Sequence, residues 1–155
     1  MSAPRSTTAL TPLAYLVGAA GLVAVVLGTF LPWLRSGEVQ RNSYASFGVL
    51  GRLVGFHGPT EVAIRVWPML GLCCAAVVVS VVATWHRTAA TLAILTAVWS
   101  AAVGSAVLLR HGYVGVTVVA LGPAVTVAGD IAVIAAAIVF LISPARRAEA
   151  QRSTK

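Results

Sequence analysis

Asp130 is the residue of this chain whose type and position most suggest chemistry. It is the only Asp, Glu, Lys or Arg between His111 and Ala145. A charged side chain within a bilayer is costly unless it is paired, hydrated or protonated. One hypothesis is therefore a proton- or cation-binding site inside a helix bundle. The other, which we favour, is a structural hydrogen bond or ion pair, for instance to Arg110 or Thr126.

The remaining reactive residue types do not form a recognisable catalytic or metal site. Cys73 and Cys74 are adjacent, and neighbours on a helix point about 100° apart, so they are predicted to be small buried hydrophobes and not a disulfide. His57, His86 and His111 are scattered over loops and span ends, without metal-ligand spacing. The sequence therefore predicts no catalytic residues, no metal and no cofactor, and a protein that is not an enzyme.

The amino-acid composition indicates whether the chain is soluble or lies in a membrane. Only 10% of the 155 residues are charged and 59% are hydrophobic, whereas about 25% are charged in an average soluble domain. A soluble fold of this length cannot hide that much apolar surface. These values exclude an ordinary soluble enzyme, a disordered chain and a disulfide-stapled secreted domain, and they favour an integral membrane protein.

The gaps between charges predict four membrane-spanning helices. About 20 apolar residues of helix cross a hydrocarbon core about 30 Å thick, and backbone groups in lipid must pair within the segment. A last span that starts near Pro123 places Asp130 about 10 Å below its outer edge. Pro144 is expected to end that helix. The predicted spans are about 12–34, 67–85, 88–109 and 123–143, with the outer loop at 35–66.

Tryptophans and turn-forming residues refine these boundaries. Trp33 and Trp67 are predicted at one membrane interface and Trp85 at the other, because indole rings favour interfaces. A tight turn at His86-Arg87 would join the second and third spans. The segment 112–120 is rich in glycine and β-branched residues, which predicts a short strand or interfacial turn beside the first loop.

The helices are expected to pack closely. All four spans carry small residues four positions apart, such as Ala20 with Ala24 and Ala93 with Ala97, and residues at that spacing share a helix face. Small side chains let helix backbones approach each other in membranes. The predicted fold is an all-α membrane protein whose four transmembrane helices form a compact antiparallel bundle with a small outer loop cap.

The outer loop is too apolar in its middle for a free linker. We expect it to fold as a cap over the helix ends, together with the 112–120 segment. Its exposed face is either a docking surface for a partner or a lid that only covers the bundle. The candidate docking residues are Arg41, Tyr44, Phe47 and Arg52.

Charge placement suggests an orientation. Six basic residues lie in the predicted tails, 1–11 and 144–155, and in the turn at Arg87, against five on the loop side. The positive-inside tendency therefore favours cytoplasmic termini in a multi-pass protein of the cell membrane. The net charge of +7 suits anionic lipid. Because the basic residues are split over two faces, nucleic acid is not expected as a partner.

Two short stretches carry a family resemblance. Gly28-Thr-Phe-Leu-Pro-Trp33, followed by Arg-Ser-Gly at 35–37, and Gly122-Pro-Ala-Val-Thr-Val-Ala-Gly129, ahead of Asp130, resemble segments of small four-helix membrane proteins of high-GC actinobacteria. Most of those proteins have no assigned activity. The resemblance implies a membrane location and this architecture, and it brings no catalytic residues with it.

Two functions are consistent with these features. The first is a non-enzymatic accessory or scaffold subunit of a cell-envelope or membrane complex, whose partners are the lipid bilayer and another membrane protein or a second copy. The second is a small dimeric proton- or cation-coupled transporter that uses Asp130. It is similar to small multidrug transporters in size and span count, but differs in the position of the acid and in the long outer loop.

Overall fold

The computed structural model describes residues 7–53, 58–109 and 116–153. The chain is mostly helical, with a small three-stranded sheet. In chain order the elements are α1 (Thr7–Phe30), β1 (Pro32–Ser36), β2 (Val39–Asn42), α2 (Ser43–Leu53), α3 (Pro59–Val66), a 3-10 turn (Trp67–Met69), α4 (Leu70–Val82), α5 (His86–Leu109), β3 (Val116–Val118) and α6 (Leu121–Ser153).

Within the described residues, four helical segments are long and apolar enough to cross a membrane, which is the number that was predicted. They are Pro12–Phe30, Glu61–Val82, His86–Leu109 and Leu121–Ile142. The first is shorter than predicted because Pro32 begins a strand directly after the helix. The second starts earlier than residue 67, because α3 continues through the 3-10 turn into α4.

The last helix also runs further than predicted. The expectation that Pro144 ends it is wrong, because α6 continues to Ser153. A proline inside a helix removes one backbone hydrogen bond and its ring clashes with the carbonyl four residues earlier, at a cost of about 3 kcal/mol. The residues that follow it, Ala-Arg-Arg-Ala-Glu-Ala-Gln-Arg, are strong helix formers and can continue the helix beyond that point.

The closest contact in the bundle lies between α1 and α6, which run antiparallel. A Cβ placed on Gly129 would lie only 2.7 Å from the carbonyl oxygen of Gly21 and 2.8 Å from the amide nitrogen of Val25. A Cβ on Gly28 would likewise lie 2.8 Å from the amide nitrogen of Thr126. The two backbones are therefore in direct contact, as small residues permit in membrane helix pairs.

The other spanning helices lie side by side next to this pair. α5 packs on α6, α4 packs on α5, and α1 and α4 touch only sparsely. The turn from α4 to α5 is tight, as predicted, but it lies at Ala83–Trp85. Thr84 adopts φ +63° there, and the amides of Thr84 and Trp85 bond the carbonyls of Val81 and Ser80, which is a Schellman arrangement of a helix end.

The prediction of an all-α fold is incomplete, because a small antiparallel sheet covers one end of the bundle. The strand order is β2-β1-β3. β1 and β2 form a hairpin whose turn uses Gly37 at φ +59°, a left-handed conformation that glycine adopts without strain. β3 lies within the predicted 112–120 segment and pairs with β1, opposite Leu34, Arg35 and Ser36, so this segment does lie beside the first loop.

We refer to β1, β2, α2 and β3 as the cap, to this end of the bundle as the cap end, and to the opposite end as the turn end. The cap was predicted from the apolar middle of the loop. Its sheet depends on a pairing between residues 80 to 84 positions apart in sequence, which no local pattern in either segment specifies.

Trp33 and Trp67 have a different role from the one predicted. Both are only 1% exposed and stack edge to face with ring centroids 5.3 Å apart. Their indole groups find acceptors inside the protein, since Trp33 Nε1 donates to the carbonyl of Gly28 at 2.8 Å and Trp67 Nε1 to Ser43 Oγ at 2.9 Å. They are core residues beneath the cap, whereas Trp85, at the turn end, is 65% exposed.

A glycine substitution tests the contact between α1 and α6. Gly129→Ala should lower the free energy of unfolding by about 1–3 kcal/mol, because the added methyl group overpacks the helix contact. The matched control is Gly71→Ala, whose Cβ would have no atom within 4 Å. The control should be neutral or stabilising, since alanine favours helix over glycine. Thermal unfolding in detergent compares the two, and equal midpoints would contradict the close α1–α6 contact.

Candidate functional site

Asp130 lies near the middle of its span. α6 begins at Leu121, two residues earlier than expected, so the carboxylate is nine residues along the helix, about 14 Å from its start. Its side chain is 1% exposed and faces the bundle interior. The cost of placing an acid at this depth makes its contacts the first place to look for function.

The polar partner of Asp130 is Ser100 on α5. Ser100 Oγ donates to Asp130 Oδ1 at 2.6 Å, and Ser100 is itself 0% exposed. The second carboxylate oxygen, Oδ2, is buried and has no hydrogen-bond partner among the residues that the structure describes. The site is therefore a short hydrogen-bonded pair with one unused acceptor.

Of the two partners predicted for the acid, Thr126 does not have this role. Thr126 is fully buried one turn earlier on α6, but its hydroxyl donates at 3.0 Å to the carbonyl of Gly122 in its own helix. A threonine hydroxyl can reach the carbonyl four residues back. Its proton is therefore used in this local hydrogen bond and is not donated to Asp130, as had been predicted. Arg110, the other predicted partner, lies outside the described residues.

Ser100 is a site residue that sequence reasoning missed, although a signal was present. Ser100 is nine residues before the end of α5 at Leu109, and Asp130 is nine residues after the start of α6 at Leu121. Consecutive antiparallel helices place such residues at the same depth. A search for polar residues near that depth would have found Ser100, but its assignment as the partner needed the register of α6 on α5.

Apolar groups surround the pair on both sides. Towards the cap lies a core cluster with Val25, Trp33 and Leu70 at its centre, and towards the turn end lies a second cluster that includes Ala97 and Val133. Cys74 on α4 belongs to the first cluster and lies within electrostatic range of Asp130. Both cysteines are free thiols. The buried pair thus lies where α5 faces α6, between the two clusters.

The candidate docking residues of the cap do not all face outwards. Phe47 packs on the rings of Trp33 and Trp67 at centroid distances of 5.8 and 5.2 Å, and Tyr44 packs on Phe30 at 5.5 Å. Both therefore help to attach the cap to the bundle. Arg41 lies on β2 and is half-buried. The backbone of Arg52 lies in α2, and its side chain is outside the described part of the chain.

No metal-binding group is found in the part of the chain that the structure describes. Within residues 7–53, 58–109 and 116–153, no three His, Cys, Asp or Glu side chains come together as metal ligands could. His86 lies at the turn end, where Nδ1 is 3.3 Å from Tyr15 Oη. His57 and His111 fall outside the described residues.

Comparison of the chain with protein families, with curated proteins and with solved structures found no match.

A serine pair tests the role of Ser100. Ser100→Ala removes the hydrogen bond to Asp130 and leaves a buried carboxyl group unsatisfied, so it should lower the free energy of unfolding by about 1–3 kcal/mol. The control is Ser80→Ala, because the Ser80 hydroxyl donates only to the carbonyl of Ala76 in its own helix. This control should cost clearly less in the same unfolding assay.

A double substitution completes the test. Replacing both partners by apolar groups can be nearly neutral, so Ser100→Ala combined with Asp130→Leu should recover most of the stability lost in Ser100→Ala alone. If Ser100→Ala and Ser80→Ala cost the same, or if the double variant is the least stable, the acid does not depend on Ser100.

Proposed function

We propose that this chain is a non-enzymatic, multi-pass protein of the cell membrane that acts as an accessory or scaffold subunit, with its cap presented to a partner protein outside the membrane. The observation that carries this proposal is the rigid attachment of the cap to the helix bundle. A loop that only connects two spans needs no such attachment.

The attachment is a chain of buried hydrogen bonds centred on Ser43. Its hydroxyl donates to the carbonyl of Thr29, in the last turn of α1, at 2.8 Å, and accepts from the indole of Trp67 at 2.9 Å. Ser43, Thr29 and Trp67 are each at most 1% exposed. Fully satisfied buried polar networks rigidify a structure, so the first residue of α2 is fixed to both helices that flank the cap.

The outer side of the cap is suited to recognition. Among the described strands, β2 pairs only with β1, so its other edge is open. Val39 on that strand is 54% exposed, and Arg35 and Glu38 form an exposed ion pair at 3.5 Å beside it. Exposed strand edges offer backbone donors and acceptors to a further strand. A rigid surface with these features supports a docking role for the cap.

The charge distribution supports an orientation with the termini in the cytoplasm. Arg87 lies at the turn end, and Arg146, Arg147 and Arg152 follow the fourth span on α6, which runs towards the same end. Short basic segments next to spans favour the cytoplasmic side. In this orientation the cap lies on the external side of the membrane.

A proton- or cation-coupled transporter is the second candidate, and the free Oδ2 atom of Asp130 favours it. The surroundings of Asp130 favour a transporter less. Asp130 lies between two apolar clusters, and a cavity of about 300 Å³ that is lined by α1, α4, α5 and α6 does not include Asp130. A structural pair with Ser100 accounts for the acid without a transport path.

Purification of the tagged full chain from its native membrane in mild detergent tests the proposal. Native mass spectrometry should find a second protein at fixed stoichiometry. Arg41→Glu, on β2, should remove that protein, because it reverses a charge on the proposed docking surface. The control, Arg65→Glu, changes an exposed arginine of α3 outside the sheet and should retain it.

A chain recovered only as a monomer or homodimer would contradict the scaffold role, as would a partner retained equally by the Arg41→Glu variant. Proton-coupled solute uptake that is abolished by Asp130→Asn would favour the transporter in its place.

A further inference from the structure

An apolar crevice opens between α1 and α4 in the turn-end half of the bundle. Its volume is about 300 Å³. Small side chains form much of its floor and walls, among them Gly18 and Ala19 on α1, Ala90 and Ala93 on α5, and Ala136 on α6. Rim residues such as Val78 and Val82 on α4 are at least half exposed, so the crevice is open to the side.

The crevice is a consequence of the helix order. α1 is held against α6 by its glycines, and α4 is held against α5 by the tight turn. The two outer helices therefore have little contact with each other. In a bilayer such a gap is filled by whatever apolar group lies beside it, because packing drives contacts where there is no water to expel.

The depth of the crevice matches one leaflet. Along α5 it extends from His86 to Ala93, about 10 Å of helix, and along α1 from Ala14 to Val23, about 14 Å. Half of a hydrocarbon core about 30 Å thick is about 15 Å. A partner helix that crosses the membrane would contact the full height of α1 and α4, whereas an acyl chain ends near the bilayer centre, as the crevice does.

The mouth of the crevice carries polar and basic groups. Tyr15 Oη and His86 Nδ1 lie 3.3 Å apart at its edge, and both residues line it. Arg87 follows directly and is exposed. Basic residues next to a membrane attract anionic headgroups, and an amphipathic tyrosine suits the headgroup level.

We infer that the crevice binds one acyl chain of an anionic glycerophospholipid from the turn-end leaflet, with the headgroup held near Tyr15, His86 and Arg87. The apolar walls select a hydrocarbon chain, and the charge at the mouth selects the headgroup. This inference does not depend on the scaffold role, because it concerns the opposite half of the bundle from the cap.

Two alanines of α1 provide a matched test. Ala19 lines the crevice and Ala20 does not, and both are exposed on the same helix. The full chain is incorporated into vesicles of equal parts phosphatidylglycerol and phosphatidylcholine, extracted in mild detergent and examined by native mass spectrometry. Wild type and Ala20→Phe should each retain one phosphatidylglycerol per chain. Ala19→Phe should lose it, because the ring occupies the crevice.

A substitution at the proposed headgroup contact tests the inference separately, in case Ala19→Phe does not fold. Arg87→Gln should lower the preference for phosphatidylglycerol over phosphatidylcholine about fivefold, since one basic residue is removed from the surface. Arg65→Gln, at the cap end, should leave the preference unchanged.

Three results would overturn the inference. They are a wild-type chain that retains no phosphatidylglycerol, equal retention by Ala19→Phe and Ala20→Phe, and dissociation of an oligomer or partner protein by Ala19→Phe, which would identify a helix as the occupant.

Discussion

The direct backbone contact between α1 and α6 is the constraint on which the rest of the molecule depends. Helices approach this closely where small residues face each other, as Gly21 and Gly129 do. β1 follows α1 and β3 precedes α6, so the antiparallel pairing of these helices brings both strands to the same end. The sheet of the cap is thus positioned by a contact within the span region.

The same contact determines the two interior features of the bundle. One face of α6 is occupied by α1, and another presents Asp130 to Ser100 on α5. Because α1 packs mainly on α6, it has little contact with α4. The space left between α1 and α4 is the apolar crevice. The cap end is closed by tryptophans and hydrogen bonds, whereas the turn end is open to the side. One chain thus combines a rigid cap at one end of the bundle with an apolar crevice at the other.

The number and approximate limits of the spans could be predicted from charge spacing, because the bilayer sets helix length. The helix faces could be predicted only in part. On α1 the spacing of four selected Ala20, Ala24 and Gly28. Gly28 does lie in the contact with α6, but Ala20 is exposed, and the other contact residue is Gly21. An alanine-rich sequence offers several small-residue faces, and only the neighbouring helix decides between them. Asp130 was recognisable from its isolation, but its partner depended on the register between two helices.

The most direct measurement is disulfide trapping of α1 against α6 in native membranes. A Cβ on Gly18 would lie 3.1 Å from the Cβ of Ala136, close to the separation that a disulfide spans. In a chain lacking Cys73 and Cys74, the pair Gly18→Cys and Ala136→Cys should cross-link on mild oxidation, as detected by peptide mass spectrometry. Cross-linking of Ala20→Cys with Ala136→Cys instead, and none from Gly18→Cys, would contradict the α1–α6 contact.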